Sequence, residues 1–403
     1  MRKLTLLLLT AALALPMAAA AQGARLVVWH AYRGGEKAAF EKVIAGYNAR
    51  PTTKVKVEPL AVPFDAFADK VSAAVPRGKG PDVFIYAQDR MGGWIEAGNT
   101  VEPIDFYVDD ALRKKYIPTT IEALTYRGSL WGLPLDFKVI TLIYNKKLIA
   151  SPPKTTAELY KVGAALTNRP AGKFGLAWAY NDFYYVASLL NGNGGAVFGP
   201  GTTPTLNAPA NVRGMEQLQA WNRAGFMPAE PSVALITSLF NEGKAAMVFS
   251  GPWFLGEIAP GVDYGLAPLP AISEAGGQPM RPWMTVEGVF IAAPSKQKEE
   301  AFEFVKYLTD VESARVLALE GRFTPAVKAV YDDPAVARDA QLASFKKQGE
   351  VAIPMPNVPE MTMVWSPATT ALNKINSGAS PKSALDVAQK AVEKDVASLR
   401  KGK

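Results

Sequence analysis

Between Arg25 and Tyr86 the apolar pattern switches four times between strand-like and helix-like spacing. Arg25-Leu26-Val27-Val28-Trp29 is a continuous apolar run after its first residue, as a buried strand requires. Over 36–47, Ala39, Phe40, Val43, Ile44 and Tyr47 recur at helical spacing. Residues 54–58 alternate as a strand, and 64–75 place Phe67, Val71 and Val75 on one helical stripe. Pro81-Asp82-Val83-Phe84-Ile85-Tyr86 supplies a third strand. Strands alternating with helices restrict the chain to an α/β class, with a parallel sheet and right-handed crossovers. Ligands of such sheets bind beyond the carboxyl ends of the strands. The loops that start at His30 and Ala87 belong to that edge.

The residues before Arg25 have a different grammar. Met1-Arg2-Lys3 is a short basic region, Leu4 to Leu15 is apolar, and Pro16 leads into Ala18-Ala19-Ala20-Ala21. This is the pattern of a secretory signal peptide, spanning 1–21, with cleavage after Ala21 or after Ala24. Its apolar core falls short of the roughly 20 residues of a spanning helix. No later run reaches 18 apolar residues, so nothing else is expected to span a membrane. The chain has no Cys, which removes disulfides, thiolate chemistry and an N-terminal lipid anchor. A periplasmic or secreted, unanchored protein is the expectation.

Without the signal, roughly 380 residues remain, more than one core usually supports, so two domains are expected. Net charge is +7, or +5 without Arg2 and Lys3. Both signs are interspersed with no basic block, which argues against a nucleic-acid partner. His30 is the only histidine, beside Trp29 and without an Asp-His or His-x-x-Glu companion. It reads as structural; metal sites and a Ser-His-Asp triad lack their parts. The expectation is therefore no metal, no cofactor and no catalytic residue.

Further along, strands are expected at 140–144, 174–178, 244–249, 264–270 and 289–292, and helices at 156–166, 184–190, 299–308 and 383–399. No internal repeat breaks this alternation.

Seven landmarks in order resemble a known family. They are Val28-Trp29; Gly80-Pro81-Asp82-Val83 leading to Ala87-Gln88-Asp89-Arg90-Met91-Gly92-Gly93; and Trp131-Gly132-Leu133-Pro134 leading to Leu142-Ile143-Tyr144-Asn145-Lys146. Next come Asn193-Gly194-Gly195, Phe240-Asn241-Glu242-Gly243-Lys244-Ala245-Ala246-Met247 and Gly251-Pro252-Trp253. Met355-Pro356-Asn357-Val358-Pro359-Glu360-Met361, before Trp365, is the last. Together they resemble the extracellular solute-binding proteins of carbohydrate ABC importers, most closely the maltose and maltodextrin binders. The resemblance implies the two-lobed periplasmic binding protein fold of type II, each lobe a central sheet flanked by helices. By correspondence one lobe holds 22–137 and 286–330, the other 138–285 and 331–403, joined by a hinge crossed more than once. It also implies a small sugar in the cleft, delivered by a monomer to the membrane permease of the importer.

A sugar ring offers hydroxyls at its rim and C–H groups on its faces. Hydrogen bonds to charged groups contribute about 1.5–3 kcal/mol each, and micromolar binding needs about 8 kcal/mol net. The resemblance assigns Asp89 and Arg90 to sugar hydroxyls, with Tyr86 just before them, and adds Asp65. Trp253 and Trp365 match stacking aromatics, Tyr184 matches a further one, and Asp182 an acidic ligand. The aromatic segment 180–185 leaves a one-residue offset open. Departures exist: Lys138 stands where maltose binders have an acid, with Asp136 as an alternative carboxylate. The first loop lacks an Asn-x-Asp-Lys, leaving Tyr32 or Arg33 to act there, and Glu287 corresponds to a ligand-facing position of some disaccharide binders. Maltose, maltodextrin, trehalose and other glucosides all remain open.

Two other classes compete. A secreted glycoside hydrolase would need two carboxylates about 5–10 Å apart, and Asp89, Asp182 and Glu287 are the candidates. A binder of another solute, a polyamine or a metal ion, conflicts with Arg90, Lys138 and the scarcity of metal ligands.

Overall fold

The computed structural model describes residues 24–401, apart from the side chain of Asp65; the expected signal peptide, 1–21, lies outside the described residues, as does any role for the Asp65 carboxylate. The N-terminal alternation folds as β1 (Arg25–His30), α1 (Gly34–Asn48), β2 (Lys56–Ala61), α2 (Phe64–Ala74) and β3 (Val83–Ala87). β1 pairs in parallel with both β2 and β3. All five residues of β3 are buried, as a central parallel strand between helix layers requires. The buried stripe of α1 is Ala39, Phe40, Val43, Ile44 and Tyr47, which docks the helix on the sheet. β2 starts two residues later than the alternation suggests and includes Pro59. It closes the sheet edge, where a residue without an N–H costs no ladder bond.

This first sheet is mixed. The strand Trp283–Ile291 runs antiparallel to β3 and also to the strand Leu133–Lys138. It begins six residues before the expected 289, because Thr285, Glu287 and Gly288 interrupt its apolar run. A second, four-stranded sheet has the order Tyr264–Ala267, Thr141–Asn145, Ala245–Ser250, Phe174–Trp178.

The two sheets belong to two lobes with separate cores. Val139 lies in the first core and Ile140 in the second. Trp283 lies in the second core and Met284 in the first, so the long strand passes between lobes there. Val336, Leu342 and Phe345 still pack in the first core, and the second resumes at Met355. The helix Ala340–Gly349 is gripped from the second lobe as well: Gln341 Nε2 donates to Tyr264 Oη at 2.6 Å, and Gln348 Oε1 accepts from Leu269 N at 2.7 Å. Among the described residues, no helix is long and apolar enough to cross a membrane.

Candidate functional site

Because β1, β2 and β3 are parallel, the segments after them share one sheet edge. After β1 come Tyr32 and Arg33. Tyr32 is buried, whereas Arg33 is exposed at the start of α1 without a side-chain cap. After β3 the chain makes a 3₁₀ turn, Gln88–Arg90, and continues into the helix Met91–Ala97.

That turn is tied down from below. Gln88 is fully buried; its Nε2 donates to Met284 O and to Met355 O, each at 3.1 Å, and its Oε1 accepts from Val286 N at 2.7 Å. Sequence reasoning passed over Gln88, yet it anchors the Asp89-Arg90 pair to the interlobe strand. Asp89 is buried, and Arg90 Nε lies 3.3 Å from its Oδ2. Burial raises the Asp89 carboxyl to about 6, against the pull of Arg90. The Arg90 side chain keeps 37% of its surface exposed, although its Nε is buried against Asp89.

Lys138 stands in register with Thr285, and Asp136 with Glu287. Lys138 Nζ donates to Glu287 Oε1 at 3.1 Å and to Glu36 Oε1 at 3.3 Å. Tyr32 Oη donates to the other Glu287 oxygen at 2.8 Å. Burial opposes the Lys138 charge, but Glu287, Glu36 and Asp136 outweigh it and hold the ammonium above its ordinary range. Asp136 is completely buried; among the described residues no N–H or hydroxyl donates to its oxygens, and its hydrogen-bond partner is the Glu287 carboxylate. Burial, then the Glu287 charge, push its carboxyl well above the usual range. The Asp136 carboxylate is therefore enclosed rather than presented to a solute, and Lys138 is engaged by two acids. Glu36 had no signal in the sequence beyond its place in the first turn of α1.

The second lobe contributes rings. Asp182 caps the helix Phe183–Gly192, its Oδ1 accepting from Tyr184 N at 2.9 Å. Tyr184 lies 6.2 Å from Trp253 and 6.3 Å from Trp283, centroid to centroid, and Trp283 meets Trp365 edge-on at 5.6 Å. Tyr185 fills the adjoining position, accepting from Trp253 Nε1 at 3.2 Å. The Trp253 ring folds over Gly251, where a Cβ would come within 2.3 Å of the ring; that explains the glycine of Gly251-Pro252-Trp253. Trp283 escaped the sequence reading, since an apolar ring near prolines looks like core, and it is indeed buried. Trp365 Nε1 is buried and has no hydrogen-bond partner among the described residues. Tyr86 is packed into its own lobe: only 6% exposed, with its ring near-parallel to Phe67 and Phe64.

These groups converge on one stretch of backbone. Trp283 joins the rings, Met284 and Val286 hold Gln88, Thr285 Oγ1 donates to Tyr184 Oη at 3.3 Å, and Glu287 receives Lys138 and Tyr32. Among the described residues, no group of three or more His, Asp or Glu is gathered to hold a metal ion. The arrangement offers stacking surfaces beside charged acceptors and donors, which suits a polyhydroxylated solute.

The chain is similar to known proteins in sequence and in fold. The maltotriose-binding protein of Pyrococcus abyssi is 32% identical over 87% of this chain and 77% of its own length. The galactooligosaccharide-binding protein of Bacillus subtilis is 29% identical over all of this chain and 99% of its own. A cyclo/maltodextrin-binding protein complexed with maltotetraose superposes with a TM-score of 0.82 at 31% identity, covering 92% of this chain and 97% of that one. The family model described as bacterial extracellular solute-binding protein matches residues 33–315. The chain belongs to the bacterial extracellular solute-binding protein family.

Proposed function

We propose that this protein captures a maltodextrin-class oligosaccharide in the cleft between its lobes and hands it to the membrane permease of a carbohydrate ABC importer. The observation that carries the reading is the convergence on 283–287 of an aromatic group, the Asp89-Arg90 turn and the Lys138–Glu287 pair. The proposed contacts are Asp89, Arg90, Tyr184, Trp253 and Trp365, with Tyr32, Lys138 and Glu287 forming the floor. Arg33, Asp65, Tyr86 and Asp182 complete the candidate set, at its margin.

We place the lobe boundaries close to 22–137 with 286–330 and 138–285 with 331–403, shifted so that Val139, Met284 and the stretch through Phe345 go with the first lobe, where their apolar side chains pack. A sugar that touches both lobes favours the closed state by its differential affinity. We further propose that the chain performs no catalysis and works unanchored outside the cytoplasmic membrane. Both Glu287 oxygens are engaged by Lys138 and Tyr32, and one Asp182 oxygen caps a helix, which leaves a hydrolytic carboxylate pair poorly supplied.

Calorimetric titration with maltose, maltotriose, trehalose, sucrose, a galactooligosaccharide and a pentose tests the reading. Micromolar or tighter binding of an α-glucan supports it. Preference for the galactooligosaccharide keeps the site and changes the sugar. No heat with any of them moves the function to another solute.

A further inference from the structure

The first lobe covers Tyr86 and exposes a different ring in its place. Phe64 opens α2, directly after the segment that follows β2, so it stands on the same carboxyl edge as the Gln88–Arg90 turn. Its ring lies 5.3 Å from that of Tyr86 with 24° between the planes, and Phe67 lies 4.9 Å from Tyr86 at 11°. Phe67 is fully buried, Tyr86 nearly so, and Phe64 is 57% exposed. A ladder of three near-parallel rings thus runs from the core to solvent, on the sheet edge that also carries the Gln88–Arg90 turn. Core packing does not require the exposed end, and water is a poor neighbour for it.

We infer that Phe64 is the stacking platform of the first lobe, receiving the C–H face of an outer sugar ring of an oligosaccharide held by Asp89 and Arg90. The inference rests on the sugar-binding reading above and adds a determinant of chain length to it. The opposite wall is aromatic too, through Tyr184, Trp253 and Trp365, so a glucan lying along the cleft meets rings on both sides. The ladder also fixes the orientation of the platform: with Tyr86 behind it, the Phe64 ring is held in one plane at low entropic cost. An aliphatic side chain at position 64 could still cover Tyr86 but would offer no planar face.

Calorimetry with maltose, maltotriose and maltotetraose on the wild type, Phe64→Ala, Phe64→Leu and Phe64→Trp separates the outcomes, with thermal unfolding run alongside. Ala and Leu are both expected to weaken maltotetraose about tenfold, the scale of one aromatic contact, with maltose affected less and unfolding little changed. Trp is expected to hold or improve affinity. Wild-type affinity for all three sugars in Phe64→Leu would overturn the inference, reducing Phe64 to a cover for Tyr86. Equal weakening for every sugar would overturn the chain-length role. If the wild type itself binds no glucan, the sugar reading fails first and takes this inference with it; binding by the wild type with unaffected variants sinks the inference alone.

Discussion

The backbone N–H of Gly92 donates to the carbonyl of Asn357 at 3.0 Å, joining the two most distinctive sequence motifs of the chain. A Cβ on Gly92 would come within 2.2 Å of that carbonyl oxygen, a backbone atom that cannot swing aside. Asn357 in turn is fixed by its Nδ2, which donates to Ala123 O at 2.8 Å and Thr125 O at 3.0 Å. The loop before Trp365 and the turn bearing Asp89 therefore set each other's position. Gly92→Ala is expected to destabilise the protein by about 1–3 kcal/mol, the range for forced overpacking, and to weaken sugar binding. Gly93→Ala is the control, since a Cβ there meets nothing within 4 Å. Urea unfolding of the two variants checks the contrast.

Asp89 couples function to pH. Its carboxyl titrates near 6 in the folded chain against an ordinary 3.8, because burial disfavours the charge. Between those values the folded chain holds a proton that the unfolded chain has released, so stability from this group falls as pH rises through the window. Asp89→Asn never bears that charge. Its unfolding free energy, followed by denaturant titration, should match the wild type near pH 4 and exceed it increasingly towards pH 7, by on the order of 3 kcal/mol. His30 acts in the opposite sense, since burial lowers it to about 4 and protects stability as pH rises, but it is common to both proteins and cancels in the difference. Sugar affinity should move the other way, lost in Asp89→Asn at pH 7 and weakening in the wild type by roughly tenfold per unit below pH 6.

The same elements show how far the chain could be read in advance. Helices with one core-facing stripe, such as α1 or Thr156–Leu166, declare themselves, because a single period governs all their apolar residues. The strand Trp283–Ile291 does not, because it serves both cores and its Thr285 and Glu287 face polar partners rather than apolar ones. Lys138 was visible as an odd residue at a ligand position, but its partners Glu287 and Glu36 lie 149 and 102 residues away and only the fold brings them together. Tyr86 was legible as an aromatic beside Asp89, while the ring that covers it, Phe64, carried no motif.

That buried ion pair should be costly to break. Lys138 and Glu287 each keep only 13% of their side-chain surface. Lys138→Met leaves Glu287, Glu36 and Asp136 without their cation, and the loss expected on truncating one partner of such a pair is about 3–5 kcal/mol. Lys138→Glu, which restores the acid typical of maltose binders, should be worse, because it sets a further acid beside Glu287, Glu36 and the buried Asp136 carboxyl. Denaturant unfolding at pH 7 orders the three proteins, and acidification should narrow the gap as the carboxylates take up protons. An unchanged midpoint in Lys138→Met would show the pair to be electrostatically idle.

Trp365 offers the sharpest separation of stability from binding. Its Nε1–H is buried and meets no acceptor among the described residues; a donor so placed costs about 1–3 kcal/mol where no water reaches it. Its ring contact with Trp283 is edge-on at 5.6 Å, a geometry that a phenyl ring can reproduce in part. Trp365→Phe removes the stranded donor along with some ring area. The unliganded variant is therefore expected to unfold at an equal or higher temperature than the wild type, despite the smaller ring. If the N–H is held in reserve for a sugar oxygen, maltotriose affinity should fall about tenfold in the same variant, the share of one hydrogen bond to a neutral group. Raised stability with unchanged affinity would assign the ring alone to the sugar; lowered stability would mean that the indole is held by packing stronger than the cost of its unpaired donor.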